Sequence, residues 1–356
     1  MTLSVPTDSF VASNHELWVR LSVTLMLFLR KVMHMLLLSC RRLFFTGSLL
    51  GLCASAFAQT APTAQDASRR AESTIARPAV TPLRDDVTMS AQSLDEQSSY
   101  APTSAGDNDL GDQLILKEIP KNEEFRAQAD AFVFWTDNAA HASAGEIEDV
   151  FYGWRVAAGW QPRITNKLFG DVSVSQDWYI YDKLEALNFE SFETSAGVIY
   201  IEPQLANILF FAQYQYGRLT SDFEDLLNAH SVRAGMQKLF LINRKNSFHT
   251  VLMADWDLET DVDEMKRHEY IFDIGYRYRL TRKTQLSLNY RYTFFDYQEV
   301  ARQDCYQSLA FGISYTPWRW MELYASASYV FNDSDIAVYD YEAANVGAGL
   351  GMRVKF

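Results

Sequence analysis

Apolar and polar residues alternate one by one along most of the chain beyond residue 124. The clearest example is the stretch 341–356, where every second residue from Val346 to Phe356 is apolar and the residues between them are small or polar. Successive side chains of an extended strand point to opposite faces of a sheet. The pattern therefore predicts a strand with one wholly apolar face and one small or polar face.

The same alternation recurs in segments of roughly ten to fifteen residues, which is the length and period of strands in a large sheet. Twelve such segments are predicted, at 125–136, 150–161, 168–181, 189–201, 207–217, 229–241, 248–258, 270–280, 285–295, 306–316, 321–331 and 341–356. The fold class is therefore all-β. An even strand number is also what a closed antiparallel barrel requires if both chain ends are to lie on one side.

The connections between the predicted strands alternate in length. Short connections with turn residues follow the even-numbered strands, whereas longer, acidic ones follow several odd-numbered strands, as at 137–149, 219–227, 259–267 and 332–340. A soluble sandwich has no reason to sort its loops by parity. The alternation predicts a transmembrane antiparallel β-barrel with tight turns at one end and longer loops at the other.

The final strand resembles the assembly signal of bacterial outer-membrane β-barrels. The resemblance rests on the alternating Leu350, Met352 and Val354 and on the terminal Phe356; Val354 departs from the family, which often has an aromatic residue there. It implies insertion by the barrel-assembly machinery and contact with outer-membrane lipid and lipopolysaccharide. Leu350 is then expected to face lipid, and Gly349 to face the lumen, where an arginine would be tolerated.

The amino terminus carries the three parts of a secretory signal peptide. Basic residues precede an apolar run at 43–58, which ends in the small residues Ala56 and Ala58. The sequence predicts a signal peptide over 1–58, cleaved before Gln59, with the true start at Met33 or Met35. A membrane-spanning helix at 17–38 and lipid attachment at Cys53 are weaker alternatives, because charges interrupt the former and Leu52 precedes the latter.

Residues 59–122 are rich in Ala, Thr, Ser, Asp, Gln and Pro. Such a segment buries too little apolar surface to offset the entropy of ordering, so it predicts a disordered periplasmic tail. The barrel is predicted over 123–356. Together with the leader, this arrangement indicates the outer membrane of a Gram-negative bacterium.

Composition narrows the partners. The net charge is −13, and removal of the leader makes the chain more acidic, which argues against nucleic acid as a partner. Aromatic residues make up 14% of the chain and suit strands. Of the three cysteines, only Cys305 lies outside the predicted leader, so no internal disulfide is expected in the mature protein.

Charged residues of both signs fall on the predicted inner face. The lumen-lining candidates are Arg126, Asp130, Arg155, Asp171, Asp177, Arg233, Asp255, Asp273, Arg277, Arg291, Glu322 and Arg353. Charges enclosed by protein are normally paired, because an isolated buried charge is costly. Two interpretations stay open at this point: a closed network of ion pairs that fixes the wall, or a selective aqueous path.

Some barrels of this kind are hydrolases, so their catalytic constellations are relevant. A phospholipase-like site needs a His and a Ser on one face, but His230 and Ser231 are adjacent and point to opposite faces. Asp255 and Asp257 share the inner face, although no Asp-x-His segment accompanies them as an omptin-like site would need. We therefore expect neither catalytic activity nor a bound cofactor. The spacing of His and Cys residues does not predict a metal site.

The acidic loop with Asp261, Asp263 and Glu264 lacks the glycine and spacing of a calcium loop. It predicts a solvated rim that attracts divalent cations loosely. The sequence predicts a passive channel for small polar solutes, and the architecture resembles the narrow twelve-stranded channels for nucleosides or acidic oligosaccharides. The alternatives are a non-conducting structural or surface-interaction barrel and, less favoured, a barrel hydrolase.

Overall fold

The computed structural model describes residues 123–221 and 224–356, which form a closed barrel of twelve antiparallel strands. The predicted leader and tail lie outside the described residues. The strands are β1 (Phe125–Thr136), β2 (Asp149–Trp160), β3 (Leu168–Tyr181), β4 (Phe189–Glu202), β5 (Ile208–Ser221), β6 (Glu224–Leu241), β7 (Asn246–Thr260), β8 (Arg267–Arg279), β9 (Thr284–Tyr297), β10 (Gln303–Trp318), β11 (Met321–Ser334) and β12 (Tyr341–Lys355).

Each strand pairs with its neighbours in sequence, and β1 pairs with β12 to close the cylinder. Ala131, for example, lies between Leu350 of β12 and Trp154 of β2. Closure leaves no edge with unpaired backbone groups, which is the condition for a sheet in hydrocarbon. The predicted fold class and the predicted strand number are both confirmed.

The two faces of the sheet differ as the alternation predicts. On β1 the outward Val133 and Trp135 are 41% and 40% exposed, while the intervening Phe132 and Phe134 are buried inside the barrel. Large apolar side chains are similarly exposed on the outer face of the other strands. A band of this kind is far larger than the apolar patches of soluble proteins, so it must be covered by lipid.

The two ends of the barrel wall meet at an aromatic seam. The backbone N–H of Phe125 donates to the carbonyl oxygen of Phe356 and the reverse bond also forms, each at 3.0 Å. The ring of Phe125 stacks on Phe356 at 5.7 Å and on Trp160 at 6.0 Å between centroids. Met352 and Val354 precede Phe356 on the outer face of β12 and are about half exposed.

One predicted loop is wrong. The stretch 219–227 was expected to be a long external connection, but β5 runs to Ser221 and β6 starts at Glu224. Strand pairing continues because Leu219 and Leu227 lie opposite each other and are both buried inside the barrel. Sequence parity is lost here because the register shifts between Leu219 and Thr220.

The other connections at the barrel end predicted to be external are 137–148, 182–188, 261–266, 298–302 and 335–340. Three of them contain a single 3-10 turn, at Glu185–Leu187, Asp263–Met265 and Ala337–Tyr339. The opposite end has short turns, such as Pro203–Leu205, which is followed by Ala206 and Asn207 at positive φ. In the described ranges, no helix has the length and apolarity needed to cross a membrane.

Candidate functional site: the barrel interior

The twelve predicted lumen residues have the strand parity opposite to that of the exposed apolar side chains. Eight of them form four ion pairs between strands: Arg126–Asp171 at 3.6 Å, Arg155–Asp177 at 3.9 Å, Arg233–Asp255 at 2.7 Å and Arg291–Asp273 at 3.2 Å. Sequence parity placed these groups on one face, and the register of the barrel decides which of them meet.

Asp171 on β3 is the most enclosed carboxylate of the interior. It accepts a hydrogen bond from Gln213 at 2.8 Å and a long one from Gln161 at 3.5 Å, and its exposure is 0%. Arg126 reaches it from the other side across strand β2, over Gly159, where a Cβ would overlap the Arg126 side chain. A buried carboxylate is tolerated only with such a set of donors.

Gln213 reaches Asp171 in the same way across strand β4. The strand between them carries Gly197 at the crossing point, and a Cβ there would come within 2.6 Å of Gln213 Cγ. Two glycines therefore let two long side chains converge on one carboxylate from opposite directions. Each is a position where any larger residue would break the contact.

A second cluster joins strands β7, β8 and β9. Asp273 binds His249 Nε2 through Oδ1 at 3.3 Å and Arg291 Nε through Oδ2 at 3.2 Å. The imidazole lies over Gly275, since a Cβ there would overlap the His249 ring. His249 Nδ1 makes no hydrogen bond, so no hydroxyl nucleophile is joined to this His–Asp pair.

The Arg233–Asp255 pair is reinforced by neighbouring groups. Arg233 donates from both Nε and Nη2 to one oxygen of Asp255, at 2.9 and 2.7 Å. Glu193, on the same inner face of β4, accepts a hydrogen bond from Gln215 at 3.0 Å. Gly217 lies opposite Glu193 and borders open space, because a Cβ added there would meet no atom within 4 Å.

The four other predicted residues lie nearer the turn end or along the wall. Asp130 accepts a hydrogen bond from Gln128 at 2.6 Å and is opposite Arg155 in register. Arg277 lies near the turn end of β8, Glu322 is opposite Gly351, and Arg353 is opposite Gln128. Their placement on a solute path stays a prediction.

The external end of the barrel is narrowed by aromatic side chains and by loops that fold inward. On the β1–β6 side, buried strand residues and loop residues make one apolar cluster. Its buried members are Phe132, Phe134, Ala139, Phe151, Tyr179, Tyr181, Phe189, Leu219, Leu227 and Met265. Ala139 and Met265 come from two external connections, which are thereby held inside the mouth.

The opposite side of the mouth has its own cluster, built on Phe295, Tyr297, Tyr306 and Tyr341. Arg267 stacks over Phe295 with its guanidinium carbon 4.0 Å from the ring centre, and Arg302 stacks over Tyr297 at 4.2 Å and Tyr339 at 3.5 Å. These cations also pair with Glu269 and Asp304. The alternating stack of guanidinium groups and rings stabilises this rim.

Two carboxylates in the connection 335–340 have pKa values raised by their surroundings. Burial raises the pKa of Asp335 above its usual value, and the nearby charge of Asp304 adds to the shift. Burial also raises the pKa of Asp340, with added repulsion from Asp333. Among the described residues, no group of three or more His, Cys, Asp or Glu is placed to hold a metal ion.

Sequence reasoning missed the neutral members of the interior network. Gln161 and Gln213 were not distinguished from ordinary wall residues, and the roles of Gly159 and Gly197 are invisible without the register. Their signal in the sequence was parity alone: Gln213 has the inward parity of β5, and Gln161 continues the inward parity of β2. Asp257, expected on the inner face beside Asp255, accepts from the backbone N–H of Arg267 at 3.1 Å.

The carboxy-terminal part of the chain is similar to a known protein family. Residues 259–356 match the family model described as "Putative beta-barrel porin 2". No curated protein matches the chain.

Solved structures with a similar fold include an outer membrane channel from Pseudomonas putida F1, at 12% identity and a TM-score of 0.49, covering 65% of this chain and 96% of that one. The NanC porin has 10% identity and a TM-score of 0.39, with 63% and 98% covered. The translocator domain of autotransporter NalP from Neisseria meningitidis has 12% identity and a TM-score of 0.38, with 65% and 88% covered. At these sequence identities and TM-scores, the functions of those proteins are not assigned to this chain.

The family match covers strands β8 to β12 and the end of β7, including the closing strand. The rest of the described chain shares the closed topology, the apolar outer face and the polar inner face of these strands. The described residues therefore form a porin-like transmembrane β-barrel, whose strands β8 to β12 match that family model.

Proposed function

We propose that the barrel is a passive channel for small polar solutes. The observation that carries the proposal is the polar character of the inner wall below the apolar clusters of the mouth. There, ionised side chains keep partial contact with water: the side chains of Arg155 and Arg233 are 25% and 26% exposed. The open space at Gly217 adjoins the same region. A wall built only for stability would favour apolar packing over so many buried ions.

The narrowed mouth makes such a channel selective by size. Phe134 is 4% exposed and contacts Phe132 and Phe151 at ring-centre distances of 5.9 and 5.7 Å. A large solute cannot pass these rings unless they move. The expected conductance is therefore small, as for a substrate channel rather than a wide general porin.

Planar-bilayer recording of the refolded protein tests the proposal. We expect single-channel steps from the wild type and larger steps from Phe134→Ala, because that change removes a ring from the mouth. Val133→Ala, on the lipid face of the same strand, is the matched control and should leave the step size unchanged. Heat-modifiable migration on gels shows that each variant is folded.

A second candidate is a non-conducting structural barrel. It is favoured by the two apolar clusters that fill the mouth from opposite sides. Under this alternative, folded wild type and folded Phe134→Ala would both give no steps. That result would reject the channel.

A further inference from the structure

The four interior ion pairs share one orientation. The carboxylates of Asp171, Asp177, Asp255 and Asp273 are between 0% and 8% exposed, whereas their arginine partners are between 18% and 26% exposed. In every pair the negative end is against the wall and the positive end faces the water-accessible interior. The pairs come from different strands, so one local backbone feature does not explain the orientation.

Side-chain length explains it. An Asp carboxylate stays close to its own strand, where Gln213 and His249 can donate to it. An Arg side chain is long enough to reach past the wall, and its weakly hydrated, planar guanidinium stays at the surface of the lumen. Gln213 and His249 occupy oxygens of Asp171 and Asp273, respectively. All four carboxylates are at most 8% exposed, so the more exposed charged group of each pair is the guanidinium.

Not all interior acids are hidden. Glu193, Asp130, Glu322 and Glu269 are half-buried on the same inner face. In the rim pair Arg267–Glu269 the order is reversed, since the arginine is 4% and the glutamate 17% exposed. Gln215 donates to Glu193 at 3.0 Å and Gln128 donates to Asp130 at 2.6 Å, which covers part of both carboxylates. The basic groups of this face are the four paired arginines together with Arg277 and Arg353, and they outnumber these acids. The charged groups that a solute can touch are therefore predominantly cationic.

We propose that the interior selects small anions that carry carboxylate groups, with Arg155, Arg233 and Arg291 as the contacting residues. A guanidinium presents parallel N–H donors that match a carboxylate in a two-point contact. Neutral solutes gain less from these donors, and cations are repelled. The preference is opposite to the net charge of −13 of the whole chain, because much of the acidity lies in the outer loops or is buried against the wall. This inference rests on the proposed channel function.

The test is the reversal potential of the refolded protein in a KCl gradient. We expect chloride to be more permeant than potassium in the wild type. In Arg233→Gln combined with Asp255→Asn the pair becomes neutral, so net charge and the partnership across β6 and β7 are both preserved. The chloride-to-potassium permeability ratio should nevertheless fall by at least about twofold, because the exposed positive group is gone.

Arg282→Gln, in the exposed turn 280–283, is the control and should leave the ratio unchanged. Succinate added to one side should reduce the chloride current of the wild type and reduce it less in the double variant, as a carboxylate competing for the guanidinium would do. Folding of each variant is checked by heat-modifiable migration.

The outcomes separate the two proposals. Steps with a cation preference, or a ratio that the double variant does not change, would overturn the anion selectivity while leaving the channel in place. Chloride preference without any effect of succinate would overturn the carboxylate contact. A folded barrel without conductance would reject the channel, and the selectivity with it.

Discussion

Replacing Leu350 with arginine puts a charge on the outer face of β12, which we expect to contact the hydrocarbon of the membrane. Leu350 is six residues before Phe356, and a rise of about 3.3 Å per residue at a tilt of roughly 40° places it about 15 Å from the periplasmic end. The apolar band of such a barrel is about 25 Å tall, so Leu350 lies near its middle. Its neighbours in register are Ala131 and Leu323, which offer no counter-charge.

An arginine at the midplane of a barrel costs about 2 to 4 kcal/mol, while one near the interface costs about 0 to 1 kcal/mol. Val354 is on the same strand and the same face but only two residues from the end, so Val354→Arg is a control that differs in depth alone. The difference between the two variants should be about 1 to 4 kcal/mol, which is roughly a 5- to 700-fold change in the folding equilibrium.

The assay is urea-dependent folding into lipid vesicles, followed by tryptophan fluorescence and by heat-modifiable migration. Gly217→Arg is the inward control, because open space surrounds that position and the arginine remains in contact with water. It should cost much less than Leu350→Arg. If Leu350→Arg and Val354→Arg destabilised the barrel equally, the assignment of β12 as a lipid-facing strand would be refuted.

Three further outcomes follow from the sequence and the rim. Mass spectrometry of outer-membrane fractions should find a mature amino terminus at Gln59, and a retained leader would contradict the predicted cleavage. In a Cys305→Ser background, Glu264→Cys should label in intact cells with an impermeant thiol reagent and Arg282→Cys should not; the reverse pattern would invert the topology. Because the pKa of Asp335 is raised, its protonation favours the folded state as pH falls through the raised value. Asp335→Asn should therefore be more stable than the wild type at pH 7 and lose that advantage in acid, which denaturant melts at both pH values can measure.

Gly349 shows where parity stops being informative. Its inward direction is correct, yet a Cβ at this position would overlap the Tyr324 ring and lie 2.8 Å from the Ala131 carbonyl oxygen. An arginine there must displace the Tyr324 ring, a steric cost that parity alone did not reveal. Which large side chain from a neighbouring strand fills the space above a glycine depends on strand register, and register is not encoded within one strand.

The strands themselves follow from local sequence because the alternation of side chains is a property of the extended backbone. Both ends of β1 and β3 match the predicted segments, and the lipid face of β12 is readable from its last residues alone. The β5–β6 hairpin was missed because its length is set by Leu219 meeting Leu227 inside the barrel, a contact between strands that neither segment reveals alone.

The sequence by itself determined the twelve strands and the parity that places the charged candidates opposite the apolar face, since a period of two residues is a local property of the extended backbone. The alternating loop lengths and the final strand added the prediction of a closed barrel. Only the tertiary structure decided that Asp171 receives Arg126 and Gln213 across two glycines, that loops and aromatic rings narrow the mouth, and that arginines rather than aspartates meet the water. These depend on the stagger between strands, which the whole cylinder sets at once when it closes.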